Sequence, residues 1–466
     1  MADYNFLLNT RLGSHQLEVL RTLEQACQAA RMNLYLTGGS MRDLLASRPV
    51  RWLDCTVEGV PATLEATLRR AGAEHVSERP EAHALSLVLR GCRVRLGAAR
   101  AAGRPGTILE DLRGRGLTLN SVGLSLNPAS HGLPLDPMNG AADIEAHLVR
   151  ANHPHAFLEQ PMLVVTAIRL CTRMGFTLEE RTATRLHAAL DEHTLTEATP
   201  AARGEELEAI AYGPDPAAVV RALEREPGLE TAFGKGVRSA RMNLNALARM
   251  PAAVESWEQL GYHIDPGPVA LACILAALPA ADQARLARSL PSPYLAAAWK
   301  HALADARTLE KKVLAIPNAA SATARLHQLL TVTSPEAIVC AAIDPKQPKA
   351  ARKLRDFQTA AAQVRQRLPF GLLRALGAAP HSAQSEQLLA PLFQRLLQGE
   401  PLSDADLAEA VRAAVAARAQ AVTAAEAAPG PRRPSAPRAP AKPAPRPAKA
   451  ARRAPAGGKT KAGSGK

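Results

Sequence analysis

Aromatic side chains are scarce: Phe, Tyr and Trp together supply 3% of the 466 residues. A β-sandwich leans on aromatic and β-branched residues, so a composition this rich in Ala, Leu and Arg favours helices. Long apolar runs are missing as well. A membrane span needs about 18 or more apolar residues in a row, and the best candidate, Val269–Leu278, is only about ten long and stops at Pro279. It reads as a buried helix. Cysteine is sparse and unpatterned. Cys27, Cys55, Cys92, Cys171, Cys273 and Cys340 include no C-x-x-C, so they read as small buried hydrophobes in a reducing compartment. The opening MADYNFLLNTRLG lacks the cationic-then-apolar order of a secretory signal. A cytoplasmic location with no membrane partner is expected.

Acid is absent from the last forty residues. Residues 427–466 hold eleven Lys/Arg and no Asp or Glu, so the formal charge of +14 leaves only +3 on the first 426 residues. A near-neutral body cannot be assigned to nucleic acid on net charge. The tail is different, because clustered cations bind phosphate in a salt-sensitive, sequence-independent way. Arg432, Arg433, Arg438, Lys442, Arg446, Lys449, Arg452 and Arg453 are its candidate RNA contacts; a solubilising linker is the alternative. Its Ala/Pro/Lys/Arg composition predicts a disordered, Pro-stiffened segment.

What is present is concentrated in Leu34–Glu58, LYLTGGSMRDLLASRPVRWLDCTVE. An apolar strand leads into Thr37-Gly38-Gly39-Ser40, a helix opens with Met41-Arg42-Asp43, and a second strand, Trp52–Val57, carries the lone carboxylate Asp54. Glycine lets backbone approach a ligand, and a helix start offers unpaired N–H groups to an anion. Around this stretch, residues 14–31 have helical spacing with Ser14 as a cap, and Pro61–Ala71 reads as a helix. Leu85–Leu89 and Cys92–Leu96 read as paired strands about Arg90-Gly91, and Leu117–Leu126 is strand-like. Beyond Ala141 the pattern is helical almost everywhere, with Leu163–Met174, Glu179–Leu190, Glu205–Ile210, Pro216–Arg225 and Leu295–Val313 the clearest segments. The expected class is α+β. A mixed-sheet head (1–140) precedes a helical neck (141–215), a helical body (216–426) and the tail (427–466).

Four ordered blocks resemble the bacterial tRNA nucleotidyltransferase (CCA-adding enzyme) and poly(A) polymerase family. Gly38-Gly39-Ser40-Met41-Arg42-Asp43 resembles its diglycine motif, and the run to Val57 aligns with its D-x-D strand. Glu110 through Asn120 echoes its R-R-D-[FL]-T-I-N block, Asp136 through Ile144 its D-P-[FY]-x-G-x-x-D-[LI] block, and Glu159 through Arg169 its neck block. Leu373–Gly377 and Leu396–Glu400 resemble its C-terminal helices more loosely. The resemblance implies a nucleotidyltransferase head on a helical body that grips RNA, with ATP or CTP as nucleotide and Mg as cofactor wherever transfer is retained. No H-D pair occurs, unlike the phosphohydrolase extension of some members. By the same comparison Gly38, Gly39, Arg42, Asp43, Arg115, Asn120 and Arg169 are the candidate nucleotide contacts, and Asp54 the one candidate metal ligand.

The chain departs from the family where the chemistry resides. The first acid of D-x-D falls at Trp52, a further acid at about Arg95, and the acid of R-R-D at Gly116. The neck's templating Asp and Arg fall at Gln160 and Leu163, the next Arg at Thr166, and a later Glu-Arg pair at Ala201-Ala202. Mg needs hard oxygen ligands, normally more than one carboxylate, and a cation within about 4 Å opposes it by several kcal/mol even at a screened dielectric. The expectation is therefore an RNA-binding homologue, of tRNA or another structured RNA, with a dismantled catalytic centre and no confidently assigned cofactor. An active transferase using Asp54 with Asp111 or Glu110, and a nucleotide-sensing scaffold, are the competing readings.

Overall fold

The structure is a computed structural model that describes residues 4–79, 83–317, 322–375 and 383–427. The cationic tail and its eight candidate RNA contacts lie outside the described residues. Two compact units divide at Val411, with Arg412–Lys466 the second; the described part of the second unit is the end of the last helix.

Helices α1 (Tyr4–Arg11) and α2 (Ser14–Ala29) open the chain. The α2 start is capped by Gly13, whose N–H donates to Gln16 Oε1 at 3.0 Å, so Ser14 is not the cap. Strand β1 (Asn33–Thr37) runs directly into α3 (Gly38–Leu45), three residues earlier than the apolar pattern implies. Gly38 sits at φ +55°, a left-handed backbone that glycine adopts without strain. Strand β2 (Trp52–Glu58), α4 (Glu65–Arg70) behind a short 3₁₀ turn at Pro61–Leu64, and strands β3 (Ala73–Arg79), β4 (Ala84–Leu89) and β5 (Cys92–Ala98) follow. Short β6 (Arg100–Ala101) and β7 (Arg104–Pro105) pair together, and α5 (Ile108–Arg113) comes next. The stretch expected as one strand is instead a 3₁₀ turn at Thr118–Asn120 and a short β8 (Gly123–Ser125), followed by β9 (Pro134–Leu135).

The head sheet has the order β3-β4-β5-β2-β1-β8-β9. It is mixed: β2 and β5 run parallel and the other neighbours antiparallel. Alternation along each strand separates its faces. Leu53, Cys55, Val57, Val94, Leu96, Leu85 and Leu87 join Leu20, Leu23 and Cys27 of α2 in the core. Trp52, Asp54, Thr56, Arg93, Arg95 and Gly97 face the other way.

The remainder is helical. After α6 (Gly140–Glu145) and β10 (Leu148–Val149) come α7 (Ala156–Glu159), α8 (Leu163–Met174), β11 (Thr177–Leu178), α9 (Glu180–Asp191), α10 (Pro200–Ala211) and α11 (Pro216–Arg225). Then follow α12 (Gly228–Phe233), α13 (Leu244–Glu258), α14 (Pro266–Leu275), α15 (Ala280–Ser289), α16 (Pro293–Ala315) and α17 (Ala322–Thr331). Helices α18 (Pro335–Ile343), α19 (Pro348–Gln366), α20 (Phe370–Ala375), α21 (Ala383–Leu397) and α22 (Asp404–Ala427) complete it. Val269–Leu275 is buried within α14. Among the described residues no helix is long and apolar enough to cross a membrane.

Candidate functional site

A cavity of about 600 Å³ lies between the polar face of the head sheet, the start of α3, α8 and α10. Gly38, Gly39, Arg42, Asp43, Asp54, Arg115, Asn120 and Arg169, the expected site residues, all line it. Arg51, Arg79, Arg95, Arg173, Glu205 and Glu206 line it too.

One wall is a closed hydrogen-bond network. Arg42 Nε donates to Asp43 Oδ1 at 3.0 Å and Arg42 Nη1 to Asn120 Oδ1 at 2.8 Å. Arg173 of α8 donates to the second Asp43 oxygen. Arg42 and Asp43 are 6% and 4% exposed, so the pair is a buried joint between α3, the Thr118–Asn120 turn and α8. Burial pulls the Arg42 guanidinium below its usual range; Asp43 opposes this, and nearby Arg173 and Arg169 add to it. Arg169 forms a two-pronged pair with Glu206 at 2.8 and 3.1 Å, and Thr166 donates its hydroxyl to the same carboxylate. Arg115 is held by Asp111 Oδ2 and by Thr56 Oγ1, with Nη2–O distances of 2.6 and 2.7 Å.

Two motif blocks turn out to be scaffolding. Asp136 accepts the N–H groups of Gly140 and Ala141 at 2.7 and 2.9 Å, capping α6, and Asp143 accepts from Thr118 and Arg150. A Cβ on Gly140 would lie 2.0 Å from Thr118 O, which is why no side chain fits there. Glu110 closes a capping box with Thr107 at the start of α5 and is exposed, so the suggestion that it partners Asp54 is corrected. Arg113 is exposed as well and does not join Arg95 and Arg115 at the cavity. The acidic wall contributed by α10 is Glu205-Glu206, several residues beyond Ala201-Ala202.

The other wall is the sheet face. Gly39 N donates to Asp54 Oδ2 at 3.1 Å, so the helix start is occupied by this chain's own carboxylate. In the β2–β5 register Asp54 stands opposite Arg95 and Trp52 opposite Arg93. Arg95 makes no hydrogen bond or ion pair among the described residues; its guanidinium lies 5.4 Å from the Trp52 ring centre, within cation–π range. Trp52 also meets Tyr212 edge-on, with ring centres 5.4 Å apart, and Tyr212 donates to Asp265. At the third departure from the motif, a Cβ on Gly116 would meet Leu163 Cδ2 at 2.8 Å. The apolar side chain in the neck therefore fills the space that an acid at position 116 would need, and the two departures are one packing solution.

Residues 34–150 match the poly A polymerase head domain. Together with the four motif blocks on this fold, that match makes the head similar to those of the tRNA nucleotidyltransferase/poly(A) polymerase family. An A-adding tRNA nucleotidyltransferase from Halalkalibacterium halodurans is 28% identical over 231 residues, 47% of this chain and 54% of the relative. A multifunctional CCA protein from Thioalkalivibrio sulfidiphilus is 35% identical over 161 residues, 32% of this chain and 38% of the relative. The chain spans about half the length, or less, of these curated relatives. A solved CCA-adding enzyme in complex with ATP has a TM-score of 0.45 at 21% identity, over 90% of this chain and 97% of that one.

Two-metal chemistry asks for several hard oxygen donors converging on one point. Asp54 is the one acid left of the D-x-D pair; one of its oxygens accepts Gly39 N–H, and its neighbour across the strand pair is a cation. Among the described residues no group of three or more His, Cys, Asp or Glu is placed to hold an ion. The donor set at this sheet face does not fit a pair of divalent cations.

Proposed function

We propose that this chain is an RNA-binding member of the tRNA nucleotidyltransferase family that holds a nucleotide or the 3′ end of tRNA in its arginine-lined cavity without metal-dependent nucleotide addition. The observation that carries the reading is the pairing of Asp54 with Arg95 across parallel strands. A divalent ion at Asp54 would meet a guanidinium charge instead of a second carboxylate, at a cost of several kcal/mol. The names of the relatives, an A-adding tRNA nucleotidyltransferase and a CCA protein, support tRNA as the RNA.

The test uses the full chain, tRNA lacking its 3′ terminus, each nucleoside triphosphate, and Mg or Mn. Filter binding is expected to retain the tRNA, with no nucleotide incorporated. Incorporation that Asp54→Ala abolishes would overturn the reading. Active transfer is the second reading, and one observation favours it: Asp54 and Asp111 line the same cavity. Asp111, however, is bound to Arg115, so that reading requires Asp111→Ala to abolish incorporation as well.

A further inference from the structure

We propose that Arg95 stands in for a divalent cation, so that the cavity takes the di- or triphosphate group of a nucleotide with no metal ion. The inference deepens the reading above, since it rests on the cavity being a nucleotide site.

The sheet register collects the relevant groups. Asp54 of β2 pairs with Arg95 of β5, and Arg95 pairs with Ser86 of β4. One row further along, Gly97 pairs with Ala84, and Ala84 with Arg79. These residues share one face of the sheet. Arg95 Nε and Ser86 Oγ are buried there without a hydrogen bond, whereas Arg79 on the same face is held by Glu208 through Nη2, with Nη1 3.6 Å from Glu205. Orphaned buried polar groups are rare because each costs stability, and two on one face of the cavity's sheet point to a bound group. Gly97 and Ala84 contribute almost no side chain, which leaves the floor of the cavity open beside Arg95.

The other arginines of the cavity are committed. Arg42 and Arg173 hold Asp43, Arg115 holds Asp111, and Arg169 holds Glu206. Arg95 has no such partner. Burial works against its charge, but Asp54 and then Glu205, Glu208 and Glu206 more than offset that and keep it protonated. A metal ion in a transferase stands in the same relation to its surroundings, with carboxylates behind it and phosphate oxygens in front. A guanidinium can present two parallel N–H groups to a phosphate, and that of Arg95 lies over the Trp52 ring, 5.4 Å from its centre. Trp52 and Arg95, the two departures on adjacent strands, thus form one unit: the first positions the second.

Titration calorimetry with inorganic tripolyphosphate, ATP and a short RNA oligonucleotide, each in EDTA and in excess Mg, tests the inference. Tripolyphosphate and ATP are expected to bind in EDTA with affinity that Mg does not improve. Arg95→Ala should weaken both about tenfold, the loss of one charge-assisted hydrogen bond, with an unchanged thermal midpoint, and Arg95→Lys should restore part of the affinity. Binding that requires Mg, an Arg95→Ala variant that binds like the parent, or a response to Arg95 confined to the oligonucleotide would each overturn it. The tRNA retention assay is independent, so a chain that holds tRNA but not tripolyphosphate loses this inference and keeps the broader reading.

Discussion

The two walls of the cavity have been treated differently. On the helical wall Arg42, Asp43 and Asn120 stand where the family motif puts them, and every one is bonded to a neighbour. On the sheet wall the motif acids have become Trp52 and Arg95, and donors are left over. The helical wall joins the head to α8 and is needed for the fold whatever the chain does. The sheet wall also ties the head to the helices, through Arg79 to Glu208 and Arg93 to Asp265, but Arg95 is held by no ion pair there, so that position is free to change when the chemistry of the cavity changes. Retention of the diglycine block therefore says more about architecture than about reaction.

The largest effect that can break this contrast is expected at Asp43. Asp43→Ala leaves Arg42 and Arg173 buried without their shared carboxylate, and breaking a buried pair in this way costs about 3–5 kcal/mol. Urea denaturation checks it; a loss below 1 kcal/mol, roughly the worth of an exposed ion pair, would show that the helical wall is not structural. Gly39→Ala comes next. Its Cβ would lie 2.6 Å from Asp54 Oδ2, so the carboxylate must move and give up its N–H partner. About 1–3 kcal/mol is expected by the same measurement.

Local patterns on both walls were open to sequence reading. The diglycine block, the Arg-Asp pair and the strands on either side are local patterns, and β1, β2, β4, β5 and α8 stand close to where spacing placed them. What pairs across distance was not legible. Arg173 meets Asp43 over 130 residues and Arg169 meets Glu206 over 37; no local spacing encodes either. The acidic face that α10 turns to the cavity, Glu205-Glu206, was not anticipated, because no motif marks it. Strand β3 was missed since it is an edge strand with a register shift between Glu74 and Ser77, and its polar residues show no clean alternation. The bonds that tie Arg115 and Asn120 to Asp111 and Arg42 were hidden too, because a motif letter names a residue type and not its partner.

A third prediction compares the two faces of β2. Cys55 and Cys27 lie on the core face, where burial raises both thiols, Cys27 to about 12. A thiol raised in the folded state contributes stability below its unfolded value near 9 and loses it as pH climbs from about 9 towards 12. Each thiol should cost about 1.4 kcal/mol per pH unit in that window. Urea titrations at pH 8 and at pH 10 check it, and Cys27→Ala should flatten the slope. An unchanged slope would mean that these thiols are not sealed from solvent.

The smallest effect sharpens the contrast most. Gly97 lies on the sheet wall beside Arg95, and a Cβ there would meet only Cys55 O at 3.9 Å, an ordinary contact. Gly97→Ala should therefore leave stability within about 0.5 kcal/mol of the parent, in contrast to Gly39→Ala on the opposite wall. The added methyl would nevertheless narrow the floor on which a phosphate approaching Arg95 must rest, so tripolyphosphate binding should weaken while the urea midpoint stays put. A variant that binds tripolyphosphate as well as the parent would place the phosphate elsewhere in the cavity. One that loses stability and binding together would make the sheet wall structural beside Arg95 after all, and the contrast between the walls would fail at this residue.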